Sequence, residues 1–160
     1  MREQAAQSLS QRTGRGKMTK VESVVYSDEY FVIEQCRDCA VTGYLIVSAR
    51  SGARDLGELA GEERAALGNV LALAVQTVKE VVRPVRVYCA QFGEKGGPLH
   101  FHVFPRTEEI TREYLRENPT EQDNLIDGPS LLAWCRKRYA TRGDRGGPSE
   151  TIDRIREVLR

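Results

Sequence analysis

The 160-residue chain contains two histidines, His100 and His102. They sit one residue apart within Leu99-His100-Phe101-His102-Val103-Phe104, a run whose β-branched, aromatic and apolar residues read as a strand. Side chains alternate between the two faces of a strand, so Leu99, Phe101 and Val103 share one face and His100, His102 and Phe104 the other. Both imidazoles then enter one space. Imidazole can act as nucleophile, proton carrier or metal ligand near neutral pH. Just upstream, Gln91-Phe92-Gly93-Glu94-Lys95-Gly96-Gly97-Pro98 is a glycine-rich turn, a segment able to wrap an anion with backbone N–H dipoles. Two imidazoles beside such a turn describe a site for phosphate chemistry. The bland alternative is surface decoration or hydrogen-bonded core polar residues. A metal site would need a third Asp, Glu or Cys ligand that the sequence does not announce, so no metal or cofactor is expected.

The elements that position this pair can be traced along the chain. Residues 1 to about 20 are polar and basic and read as a tail. Glu22 to Val25 fits either a short strand or a helix. Tyr30 to Ile33 and Tyr44 to Val47 read as two strands of a hairpin, joined by a loop from Gln35 to Thr42. From Gly61 the period changes: Leu67, Val70, Leu71, Ala74, Val78 and Val81 mark one face of a long helix, with Glu62 and Glu63 in its first turn and Pro84 at its end. Val85 to Ala90 and Leu99 to Phe104 are two more strands, the last closed by Pro105. Ile110 to Arg116, Pro129 to Tyr139 and Thr151 to Arg160 read as helices, and Gly143 to Pro148 as a loop.

Composition narrows the function classes. The chain is 40% apolar and 29% charged with a net charge of +1, an ordinary globular mixture with no field that would draw bulk nucleic acid or an anionic membrane. No uninterrupted apolar run approaches the roughly 18–20 residues that span a bilayer. The first residues lack the apolar core of a signal peptide. A cytoplasmic location with reduced thiols is expected for the four cysteines.

Gly97-Pro98-Leu99-His100-Phe101-His102-Val103-Phe104-Pro105-Arg106 resembles the signature of the histidine-triad superfamily, in which three histidines alternate with apolar residues and the strand often ends in apolar-Pro-Arg. Thr42-Gly43-Tyr44-Leu45-Ile46-Val47 is similar to the family's Pro-Gly-His hairpin strand, and Arg54-Asp55-Leu56 followed by the Gly61–Val82 helix to the segment after it. The resemblance spans Tyr26 to Arg106 and is nearest to the proteins that resemble diadenosine tetraphosphate hydrolase. It implies an α+β domain: an antiparallel sheet of about five strands with a long helix on one face. Residues 21–110 would form this core and 111–160 a helical extension packed on it. It further implies a homodimer and a nucleotide substrate. The family's middle histidine attacks the α-phosphorus to give a nucleotidyl-histidine, a role that falls to His100. The third helps bind the phosphate and leaving group, a role that falls to His102. Gln91, Gly93, Lys95, Gly96 and Gly97 take the nucleotide- and phosphate-binding positions, with a solvated Lys95 and a plain strand-end polar Gln91 as the alternatives.

The sequence departs from the pattern at three places. The first triad position is Pro98, the Pro-Gly-His histidine is Tyr44, and the family's preceding Asn is Cys36. Proline keeps its carbonyl, which in the family holds the other ring nitrogen of the nucleophile. The galactose-1-phosphate uridylyltransferase branch also works without a complete triad. Cys36-x-x-Cys39 reads as two loop thiols, with zinc or redox pairing as the alternative. Trp134 and Cys135 read as helix core. Arg136, Lys137 and Arg138 read as its solvated face, with nucleotide contact as the alternative. The expected activity is hydrolysis or transfer at the α-phosphate of a dinucleoside polyphosphate or nucleoside phosphoramidate. The rivals are a nucleotide-binding module that has lost catalysis and a small metal-dependent protein.

Overall fold

Alternation of buried and half-buried residues along the strands organises the sheet. The computed structural model describes residues 23–93, 96–122, 125–141 and 149–160. The tail of residues 1–20, Lys95 and the Gly143–Pro148 loop therefore lie outside the described residues. The strands are β1 (Val24–Ser27), β2 (Phe31–Gln35), β3 (Leu45–Ala49), β4 (Arg86–Ala90) and β5 (His100–Arg106). They form one antiparallel sheet in the order β1-β2-β3-β5-β4. The undecided segment before Tyr26 is thus strand from Val24, with a register irregularity between Val24 and Tyr26.

Among the described residues four α-helices complete the α+β fold: α1 (Gly61–Val82), α2 (Glu108–Glu117), α3 (Gly128–Arg138) and α4 (Ser149–Val158). Helix α1 has the bounds its periodicity gives. It ends at Arg83, which takes a left-handed conformation and donates its N–H to the Lys79 carbonyl. By length and composition this helix could cross a membrane, contrary to the absence of a long apolar run. Its buried residues Val70, Ala74 and Val78 pack into the sheet core. Thr107 caps α2 by accepting from the Ile110 N–H, and Asp127 caps α3 by accepting from the Ser130 N–H.

Two apolar clusters lie on opposite faces of the sheet. Phe31, Ile33, Leu45, Val47 and Val103 pack against Val70, Ala74 and Val78 of α1 and Ile152 and Ile155 of α4. On the other face, Tyr44 and Phe104 pack against Ile110 and Tyr114 of α2 and Leu131, Leu132 and Cys135 of α3. Helices α2 and α3 cover only part of that face. Gly43, at φ +74°, is required where the chain turns into β3, because a Cβ there would collide with the Val82 side chain.

One boundary differs from expectation. Pro105 does not close β5; it sits inside the strand, opposite Val87. Pairing with β3 stops at Val103. Beyond that point β4 is the sole strand paired with β5 among the described residues, and proline has no ladder bond on the β3 side to break. Trp134 also differs: it is half-buried at the helix edge, with its indole N–H donated to Glu117. Cys135, next to it, is fully buried.

Candidate active site

Register places the histidines. Ile46 of β3 stands opposite His102 and Ser48 opposite His100, while Glu34 of β2 stands opposite Ile46. These side chains belong to the partly covered face. Together with Cys36, Arg37 and Asp38 of the loop after β2, with Phe92, Gly93, Gly96 and Pro98 of the glycine-rich turn, and with Arg136 of α3, they line a cavity of about 450 Å³. The two imidazoles meet edge-on, with ring centroids 5.1 Å apart. Phe92 lies against His102 at 5.7 Å.

The two rings have different partners, and these partners fix their protons. The Nδ1 of half-buried His100 lies 3.0 Å from the Pro98 carbonyl oxygen. A carbonyl can only accept, so Nδ1 carries the hydrogen and Nε2 holds a free lone pair. The Nδ1 of buried His102 lies 2.8 Å from the Tyr44 hydroxyl oxygen. Tyr44 is fully buried, and its hydroxyl has no other acceptor among the described residues. It therefore donates to Nδ1, which leaves the hydrogen of neutral His102 on Nε2. The neighbouring histidines are opposite tautomers: one offers a lone pair at Nε2, the other an N–H.

Electrostatics keeps both partners of the second pair neutral. Burial, then the nearby charges of His100 and Arg136, lowers the His102 pKa from 6.5 to about 4. Burial pushes the Tyr44 hydroxyl well above its ordinary 10. Cys36 is held as a neutral thiol, pushed up to about 11 chiefly by burial, so it offers no thiolate to the cavity.

The structure brings together some of the sequence-derived site residues and not others. His100, His102, Gly93 and Gly96 line the cavity. The Gly96 N–H is donated to the Gly93 carbonyl within the turn, at 3.2 Å, and is not available to a ligand in this conformation. Gly97 is exposed and lies off the lining, with φ +87°. Gln91 is also exposed and off the lining, with its amide nitrogen folded close to Gly93. Lys95 is outside the described residues.

Sequence reasoning missed two residues of the site, one behind the cavity wall and one in it. Tyr44 reads in sequence as a loss, yet it is the partner of His102. Alternation along β3 could have found it, since Tyr44, Ile46 and Ser48 share the histidine face. Arg136 reads as part of a solvated stripe, but it turns into the cavity while Arg138 ties α3 to Glu113 and Glu117 of α2 at 3.8 Å. Its position four residues after buried Leu132 carries that signal. Phe92, Asp38 and Arg136 also border a second cavity of about 600 Å³ along α3, with Pro129, Leu132, Ala133 and Lys137.

The Cys-x-x-Cys loop is fixed by the end of α3. Cys39 pairs with Ala140, the Ala40 N–H is donated to the Tyr139 carbonyl and the Thr141 N–H to the Asp38 carbonyl. Cys36, Cys39 and Cys135 are buried free thiols. Among the described residues no three His, Cys, Asp or Glu side chains are grouped to hold a metal ion.

No protein-family model matches the sequence, and no curated protein matches it. Solved structures do match in fold. A histidine triad protein from Sinorhizobium meliloti is similar with a TM-score of 0.57 at 19% identity, over 85% of this chain and 88% of that one. A Hit-like protein from Bartonella henselae involved in cell-cycle regulation has a TM-score of 0.54 at 18% identity, over 85% of each chain. A zinc-bound histidine triad family protein from Mycobacterium smegmatis has a TM-score of 0.54 at 18% identity, over 85% of this chain and 82% of that one. The chain has the histidine-triad fold.

Proposed function

We propose that the protein is a nucleotide hydrolase or nucleotidyl transferase that acts at an α-phosphate through a covalent nucleotidyl-His100. The observation that carries this reading is the pair of contacts made by the two imidazoles of one cavity, the Pro98 carbonyl on His100 Nδ1 and the Tyr44 hydroxyl on His102 Nδ1. In the neutral rings they leave a lone pair on His100 Nε2 and an N–H on His102 Nε2. His100 Nε2 attacks the α-phosphorus, and the bond to the leaving group breaks with its electron pair going to that group. His102 Nε2–H donates a hydrogen bond to the phosphate and departing atom, where negative charge gathers. Arg136 and Arg37 supply positive charge around the phosphates. Water or another acceptor then takes the nucleotidyl group from His100, and its proton leaves to solvent. Dinucleoside polyphosphates and nucleoside phosphoramidates are the two candidate substrate classes. A departing phosphate leaves as the anion in this step, whereas a departing amine must in addition take a proton from His102 or solvent, and no cofactor or metal enters these steps.

Pro98 fits this reading. It replaces the first histidine of the pattern, yet the contact to the nucleophile comes from its main-chain carbonyl. A homodimer fits as well, since β4 is an edge strand and Val85 beside it is half exposed. A cytoplasmic location goes with this reading on the sequence grounds given above.

Mass spectrometry of the intact protein after brief mixing with a diadenosine polyphosphate tests the reading. The expected result is an adenylyl adduct and released mononucleotide, both lost in His100→Ala with the fold retained. Unchanged turnover in His100→Ala would sink the assignment. Nucleotide binding with neither adduct nor product would make the protein a nucleotide-binding module.

A further inference from the structure

We infer that Tyr44 fixes His102 as a neutral hydrogen-bond donor, and that the site is thereby restricted to α-phosphate leaving groups that depart as anions. This rests on the nucleotidyl-transfer reading above and narrows it.

The starting point is the buried 2.8 Å contact between the Tyr44 hydroxyl and His102 Nδ1. Protonating His102 would put a second hydrogen into that contact. The Tyr44 O–H would have to turn away, and no other acceptor for it exists among the described residues. The surroundings offer no relief. His100 on β5 and Arg136 on α3 both oppose a positive charge on His102. Phe92 gives it an apolar neighbour. On the Tyr44 side, Cys36 and Cys39 are neutral thiols held by burial. Asp38 lines the cavity, and it makes no hydrogen bond to either imidazole among the described residues.

The consequence lies in what the departing atom needs. When a phosphoanhydride bond breaks, the leaving oxygen keeps the electron pair and shares its charge with the second phosphate. A hydrogen bond from His102 Nε2–H is sufficient and no proton has to move. When a P–N bond breaks, the leaving amine must gain a proton, because an amide anion is far too basic to leave. If neutral His102 supplied that proton it would become an imidazolate. Tyr44 could compensate only by passing on its own proton, and burial holds that hydroxyl far above its ordinary range. Tyr44 acts as a positioning residue, and through His102 it selects by leaving-group acidity.

The test compares P1-adenosyl P2-methyl diphosphate with adenosine 5′-phosphoramidate at pH 7, together with 15N spectra of the imidazoles. The expected kcat/KM is about a hundredfold or more higher for the diphosphate, matching the usual worth of a general acid that the amine would lack. His102→Gln, which keeps a neutral N–H, is expected to lower diphosphate turnover about tenfold, against a hundredfold or more for the loss of a true proton donor. In the spectra, His102 of the unaltered protein is expected as the neutral Nε2–H form from pH 5 to pH 8. Comparable turnover of both substrates, or a protonated His102 at pH 6, overturns this inference and leaves the nucleotidyl-transfer reading standing. No turnover of either substrate and no adduct on His100 removes both.

Discussion

On one face of the sheet, Phe31, Ile33, Leu45 and Val47 meet α1 and α4 across a continuous apolar layer. On the other, α2 and α3 close over Tyr44 and Phe104 and stop short of His100. The same strands serve both faces, because each contributes alternate residues to each. The first face is held by fit. The second is held at its open end by specific hydrogen bonds: Pro98 to His100, Tyr44 to His102. The fold thus separates the residues that keep the sheet together from those that can meet a ligand, at a spacing of one residue.

Adjacent positions on β3 can break that separation. Leu45 is fully buried toward α1, and Ile46 lines the cavity opposite His102. Leu45→Ala is expected to destabilise the fold by about 2–5 kcal/mol. Its nucleotide affinity, measured below the melting transition, should stay near that of the unaltered chain. Ile46→Ala should do the reverse, weakening nucleotide binding with a smaller loss of stability, since Ile46 is only half-buried. Calorimetric titration beside denaturant unfolding would separate the two. Equal loss of affinity in both variants would show that the faces are coupled.

Sequence reasoning reached the first face more completely than the second. Periods of two and of three to four residues report burial, so α1, the strand pairs and the shared face of His100 and His102 could be read directly. The antiparallel five-stranded sheet with a long helix on one face follows from the resemblance, whereas the order β1-β2-β3-β5-β4 comes from the structure. The rest of the site depends on approaches between distant segments, which periodicity does not encode. Arg136 reaches the histidines because α3 folds back over β5, and Asp38 does so because the end of α3 ties down its loop. Tyr44 was visible as a residue but not as a partner. A tyrosine that replaces a histidine reads as loss until the 2.8 Å contact assigns it a hydrogen to give.

Acid should strain the second face selectively. Burial in the folded protein pushes the His102 pKa down to about 4, against the ordinary 6.5. Between these values the unfolded chain takes up a proton that the folded chain does not, so folding stability falls as pH drops from 6.5 to 4 and this contribution levels off below. The full gap corresponds to at most about 3 kcal/mol. Denaturant midpoints across this range, compared with those of His102→Gln, isolate the effect from that of the carboxylates. The unaltered protein should lose more stability than the variant, and parallel curves would place a charged His102 in the folded state.

The smallest of these effects sharpens the comparison most. Tyr44→Phe removes one oxygen and keeps the ring, whose edge-on contact with Phe104 at 5.1 Å does not depend on it. Packing on the α2–α3 side should survive, and no sizeable cavity opens. What changes is that His102 Nδ1 loses its donor inside a buried site, at a cost of about 1–2 kcal/mol. With no hydroxyl to choose for it, the His102 hydrogen is free to occupy either nitrogen. The fraction carrying it on Nδ1 presents a lone pair to the phosphate instead of a donor. The expected signature is a lower kcat with KM nearly unchanged, a melting temperature down by a few degrees, and 15N shifts of His102 moved toward the Nδ1–H form while those of His100 stay put. A purely structural tyrosine would give the stability loss alone, with both the tautomer and kcat unmoved.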